Sequence, residues 1–287
     1  MPALEHVAPI GSSEGGSAPL PKPPPAEHSF SRGHGNYLNR PLAGAEASTG
    51  GGRPWLTAAL DLLFPPFCPV CRAALGAGRR DPLCGACWQA LERIAPPWCR
   101  RCGQPLSIEG LCGECRTRRR PFAYARAAVR YGPIAREALH AFKFGGRRAL
   151  AAPLADLLAG LGLRALPGAA PDLLVPVPLH ARRERQRGYN QSALLAKRLG
   201  RGWGVPVATD ALGRALATAP QTDLNAAARR KNVRGAFTVR RPELVVGRHV
   251  LLVDDILTTG ATVGECARCL TSAGAAAVGV VTVARVD

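Results

Sequence analysis

Two groups of residues in this chain carry chemistry by their type and spacing. The first is Val253-Asp254-Asp255-Ile256-Leu257-Thr258-Thr259-Gly260-Ala261-Thr262. Two adjacent carboxylates are hydrogen-bond acceptors, and a ribose offers a pair of hydroxyl donors. The following Thr258-Thr259-Gly260-Ala261-Thr262 opens a predicted helix. Its unpaired backbone N–H groups, the positive dipole end and the Thr hydroxyls together suit a phosphate. Gly260 permits a close backbone approach that a side chain would block. Helix capping accounts for one Asp but not for an adjacent pair followed by Thr-Thr-Gly-x-Thr.

The second group is eight of the ten cysteines, set in four C-x-x-C pairs: Cys68/Cys71, Cys84/Cys87, Cys99/Cys102 and Cys112/Cys115. Two intervening residues let both sulfurs of a knuckle approach one ion, and two knuckles complete a tetrahedral thiolate site. Connections of 12 and 9 residues make two successive structural zinc ribbons the simplest arrangement, while interleaved sites would use the same cysteines. Disulfides or a redox dithiol are the competing chemistry, and four evenly used pairs argue for metal instead. Cys266 and Cys269 stand apart on a predicted helix beside Ala267 and Leu270, and read as buried small hydrophobes.

The elements that must position these groups alternate in type. Strands are predicted at 125–131, 172–177, 250–253 and 278–284, and helices at 133–142, 150–163, 190–199 and 262–273. Alternating strands and helices imply βαβ units and a mainly parallel sheet flanked by helices, an α/β fold. The run His249–Val253 delivers Asp254 and Asp255 to the carboxyl edge of that sheet, where open α/β folds bind ligands.

Residues 1–53 are rich in Pro, Gly, Ser and Ala without a sustained period, and are expected to be a disordered tail. Residues 54–120 hold a short amphipathic helix, Trp55–Phe64, and then the cysteine module. The apolar runs Trp55–Phe64 and Ala149–Leu163 are too short to span a bilayer, and the N-terminus lacks a signal peptide pattern, so a cytoplasmic location is expected. Formal net charge is +18, part of which zinc-bound thiolates would offset. A strongly basic chain favours phosphorylated ligands or nucleic acid as partners, and a basic surface serving solubility alone would look the same.

The 253–262 segment resembles the 5-phosphoribosyl 1-pyrophosphate (PRPP) motif of type I phosphoribosyltransferases. From about Leu56 onward the chain is similar to the ComF family, competence-associated proteins with a double zinc ribbon and such a domain. The marks are Leu63-Phe64-Pro65-Pro66, Cys99-x-x-Cys102-Gly103, Phe142-Lys143-Phe144 with Arg147, and Val175-Pro176-Val177-Pro178-Leu179. Arg187-Gly188-Tyr189-Asn190-Gln191 and the run from Gln221-x-x-Leu224 through Arg229 to Asn232 complete them. Asn225 and Ala228 stand where the family often has a Ser and an acid.

The resemblance implies a phosphoribosyltransferase-like domain over residues 121–287, with Asp254, Asp255, Thr258, Thr259, Gly260, Ala261 and Thr262 holding ribose and phosphate. It places pyrophosphate near Pro178, Leu179, His180, Arg182, Arg183 and Arg187, with Lys143 and Arg147 as a second cationic edge. It further implies Mg²⁺ bound with PRPP and displacement of pyrophosphate from the ribose by a nitrogen nucleophile. Two functions stand side by side. One is phosphoribosyl transfer. The other is a DNA-uptake factor whose zinc module binds single-stranded DNA or a translocation helicase.

Overall fold

The computed structural model describes residues 66–75, 82–163, 166–216 and 226–287. The tail and the Trp55–Phe64 segment lie outside them.

Four strands form one parallel sheet: β1 (Tyr124–Arg130), β2 (Leu173–Pro176), β5 (His249–Leu257) and β6 (Ala277–Arg285), in the order β1-β6-β5-β2. The short strands β3 (Leu212–Arg214) and β4 (Phe237–Val239) pair separately and antiparallel. β5 and β6 read as near-continuous Val/Leu/Ala runs because both faces of the sheet are covered. Alternation sorts the side chains: Leu251 and Val253 join one core, Val250 and Leu252 the other.

The first core packs α3 (Pro133–Phe144), α4 (Ala151–Ala159) and α6 (Gln191–Trp203) on one face. α3 starts with Pro at its first turn and buries Ala135, Ala138, Leu139 and Phe142, a helical stripe. α6 is capped by Asn190, whose Oδ1 accepts from the amides of Ser192 and Ala193 at 3.0 and 3.3 Å. The second core packs α8 (Ala261–Ser272) together with α7 (Ala226–Val233) and β4 on the other face. Cys266 is fully buried there among Val263, Ala267 and Leu270, as its apolar neighbours predict.

Two segments differ from the sequence reading. β5 does not stop at Val253 but runs to Leu257, since β6 continues beside it and pairs Asp254 with Thr282 and Leu257 with Arg285. The acidic pair is therefore held on strand backbone instead of a loop. The basic stretch after Val177 contains a helix, α5 (Ala181–Arg187), ended by Gly188 in the left-handed conformation at φ 77°.

The cysteine module holds two short helices, α1 (Gly85–Gln89) and α2 (Gly113–Thr117), each carrying the second cysteine of a knuckle. It is hydrogen-bonded to β1: Ile94 N donates to Ala128 O at 2.9 Å, Arg130 N to Glu92 O at 2.8 Å, and Ala125 N to Arg101 O at 2.7 Å. Cys68, Leu75, Leu83, Cys87 and Leu91 extend the first sheet core. Among the described residues no helix is long and apolar enough to cross a membrane.

Candidate functional site

The cysteines resolve into two sequential clusters, Cys68/Cys71/Cys84/Cys87 and Cys99/Cys102/Cys112/Cys115, with all sulfurs in each within 4.8 Å of one another. The interleaved pairing is thereby set aside. Cys71 Sγ lies 3.5 Å from Cys84 Sγ, and Cys102 Sγ 3.7 Å from Cys112 Sγ. A tetrahedral site with Zn–S bonds of about 2.3 Å requires sulfurs roughly 3.8 Å apart, so the donor sets fit zinc. They are too far apart for disulfides, whose S–S bond is about 2.05 Å.

Backbone geometry readies the thiolates. Burial pushes the Cys99 thiol up, but backbone N–H groups of Cys102, Cys112 and Arg101 outweigh it and lower its pKa to about 6. The same balance brings Cys68 to about 7. Burial and neighbouring sulfurs push Cys87 and Cys115 upward, a repulsion that a central dication relieves. These are closed four-sulfur sites, which is the structural kind.

The second site is a cleft of about 930 Å³ at the carboxyl ends of β2 and β5. Asp254 and Asp255 lie in it almost fully buried. Adjacent strand residues face opposite ways, so the two acids meet different partners. Asp254 Oδ1 accepts from Ser192 Oγ at 2.9 Å and from the Asp255 amide at 2.9 Å. Asp255 Oδ1 pairs with Lys143 Nζ at 2.9 Å, while its Oδ2 is buried with no hydrogen-bond partner. Burial first, then the Asp255 charge, push the Asp254 carboxyl up to about 7, against the pull of Lys143 and its two donors.

Beyond the acids, the backbone turns at Gly260, φ 73°, which caps α8. That left-handed turn is open to Gly at little cost and exposes the first amides of the helix. Thr258, Gly260, Ala261 and Thr262 line the cleft; Thr259 faces a smaller neighbouring cavity.

Of the predicted cationic residues, Lys143, Arg183 and Arg187 line the cleft, with Pro178 and Leu179. Arg187 is half-buried, its guanidinium 5.0 Å from the Phe144 ring centre, and burial lowers its pKa while Asp255 raises it. Arg147, His180 and Arg182 are not among the lining residues. His180 caps α5, its Nδ1 accepting from the Arg182 amide at 3.3 Å, and Arg147 and Arg182 are exposed.

Three further residues join the site. Ser192 orients Asp254 from the first turn of α6, directly after the Asn190-Gln191 pair that marks that helix start in the sequence. Arg214 reaches the cleft from β3 with only 8% of its surface exposed. Tyr131 lines it from just beyond β1. No spacing rule points to the last two, because both reach the site through tertiary folding.

Comparison with known proteins agrees with both halves. A double zinc ribbon domain family matches residues 59–116, and a phosphoribosyl transferase domain family matches residues 196–287. The DNA utilization protein YhgH of Escherichia coli K12 is 38% identical over 221 residues, covering 76% of this chain and 96% of that protein. Competence protein F of Haemophilus influenzae is 31% identical, covering 72% and 91%. Competence protein ComFC of Bacillus subtilis is 30% identical, covering 69% and 81%.

Proposed function

This chain belongs to the ComF family, alongside the DNA utilization protein YhgH and competence protein F, and from that premise we propose that its cleft binds PRPP with Mg²⁺ and transfers the phosphoribosyl group to a nitrogen nucleophile. The observation that carries this reading is a buried acidic pair, with Asp255 Oδ2 lacking a hydrogen-bond partner, lining the same cleft as a phosphate-type loop. A buried carboxylate oxygen without a donor is costly, and a ribose hydroxyl supplies the missing one.

In this reading Asp254 and Asp255 accept from the ribose hydroxyls, Lys143 and Ser192 having fixed their orientation. The amides after Gly260 hold the 5-phosphate. Arg183 and Arg187 face the pyrophosphate and stabilise its charge as the C1–O bond breaks. The bond electrons leave with pyrophosphate, the nucleophile's nitrogen bonds to C1, and that nitrogen gives up a proton. Asp254 or Asp255 would help hold a Mg²⁺ ion arriving with the pyrophosphate, and that ion would supply charge screening.

Calorimetric titration of Mg²⁺-PRPP into wild type and an Asp254→Asn/Asp255→Asn variant tests the site. Equal binding by the two, or none by wild type, would reject it. Release of pyrophosphate on adding candidate bases then tests turnover.

A second reading, a DNA-uptake factor, is favoured by the names of the relatives and by Arg116, Arg118 and Arg119, all exposed at the end of the zinc module. The cationic cluster suits single-stranded DNA or an acidic face of a translocation helicase. Reversing these three charges should weaken single-strand binding and flatten its salt dependence. An unchanged salt slope would remove DNA from that surface.

A further inference from the structure

The phosphate loop is tied from behind to the second cysteine cluster. Arg120 follows that module by a few residues, and only 10% of its side chain is exposed. Its Nη1 donates to the Thr259 carbonyl at 2.9 Å, and its Nη2 meets Glu114 Oε2 at 2.6 Å. Glu114 sits on α2 beside Cys115. One planar fork thus joins the carbonyl just before Gly260 to the helix that carries the last cysteine.

A second tie flanks the first. Arg285 pairs in register with Leu257, the last residue of β5, and its Nη1 donates to Cys102 O at 2.7 Å. Between the two ties lies a cavity of about 270 Å³, lined on one side by Cys102 and Glu114 and on the other by Thr258, Thr259 and Gly260. Close packing does not fill that gap, so directed hydrogen bonds join buried Phe122 and Leu257 in placing the turn. A rigid guanidinium with two anchored nitrogens is suited to fix a carbonyl in one place.

We propose that Arg120 is a positioning residue for the phosphate loop, which makes the second zinc ribbon part of the ligand site's support. Binding a phosphate at α8 requires the first amides of that helix to converge on one point. Holding the Thr259 carbonyl outward, toward the ribbon, turns the following amides toward the cleft. The ribbon then contributes to affinity without touching the ligand.

This inference rests on the reading of the cleft as a phosphoribosyl site, so the test includes a readout that needs no ligand. Amide hydrogen exchange of the intact, zinc-loaded protein is followed at Gly264, whose N donates to Gly260 O and closes the first turn of α8. Arg120→Ala should accelerate exchange there roughly tenfold or more, the worth of a charge-assisted hydrogen bond, while Leu270 at the far end of α8 stays as in wild type. Ribose 5-phosphate and Mg²⁺-PRPP should bind roughly tenfold more weakly or worse. Zinc content should not change, and Arg120→Lys should restore part of the affinity because one donor can still reach one acceptor.

Glu114→Gln loosens the fork from the ribbon side and should shift both readouts in the same direction by less. Unchanged exchange and unchanged affinity in Arg120→Ala would overturn the proposal. If Arg120→Ala loses zinc or fails to fold, unchanged exchange in folded Glu114→Gln would overturn it equally. Looser exchange in a protein whose wild type binds no PRPP would keep the tie and reject the phosphoribosyl reading.

Discussion

Lys143 Nζ lies 2.9 Å from Asp255 Oδ1 and leaves the other oxygen of that carboxylate buried and unpartnered. Half of the acid is compensated and half is not. The lysine comes from the last turn of α3, in the Phe142-Lys143-Phe144 segment, while the acid comes from β5, so helix and strand must pack correctly before the pair exists.

Removing the lysine therefore strands a buried carboxylate. Lys143→Met should destabilise the protein by about 1–3 kcal/mol, since a buried charge loses its partner. Urea unfolding measures it. Adding Asp255→Asn to Lys143→Met should recover most of the loss, and a purely additive double variant would show that the two residues are uncoupled.

The raised carboxyl of Asp254 predicts a pH dependence with a defined sign. Unfolded, this group titrates near the ordinary 3.8; folded, near about 7. Between those values the folded protein binds more protons than the unfolded chain, so stability falls as pH rises from about 4 to 7 and levels off above. The slope contributed is at most about 1.4 kcal/mol per pH unit. Asp254→Asn should remove it, seen by comparing urea midpoints at pH 5 and pH 7.5. Binding of PRPP should follow the opposite course and strengthen through pH 7, because the ionised acid is the better acceptor for ribose hydroxyls.

Gly260 occupies φ 73°, where a side chain is strained. Gly260→Ala should cost about 1–2 kcal/mol of stability. An ideal Cβ there would meet Arg120 Nη1 at 3.6 Å, an ordinary contact, so strain in the backbone and not a clash is the cause. PRPP affinity should fall by more than the stability change alone accounts for, as calorimetry on the folded variant would reveal.

Zinc release should have two phases. In the first cluster Cys71 is exposed and Cys84 half-buried, whereas all four sulfurs of the second belong to buried residues. A chromogenic chelator should withdraw one ion per chain well before the other, and Cys71→Ser should abolish the fast phase alone. A single rate for both ions would contradict the difference in burial.

Much of this was legible in the sequence. C-x-x-C spacing picks out the eight cysteines that the fold gathers into two clusters, and the alternation of apolar strands with amphipathic helices points to the parallel sheet. Asp254 and Asp255 are visible in the sequence as a pair, and one cleft holds both. What stayed hidden depends on contacts distant in the chain. The reach of β5 past Val253 is set by β6, more than twenty residues later in the chain. Arg214 and Arg120 are two of many arginines in a basic chain, and only packing separates them from the solvated ones. His180 and Arg182 looked like an anion loop because charge is visible in a sequence while capping geometry is not.

The hydrogen bonds that join Glu92, Ile94 and Arg101 with β1 fall on the terminal strand of the sheet. A terminal strand left bare offers its backbone to any neighbouring chain, which is a route to aggregation. The segment that covers it is short, and modules of this size generally fold with their ions. Removing the ions is therefore expected to uncover a sticky β-edge as well as loosen a module, which light scattering of chelator-treated protein would register.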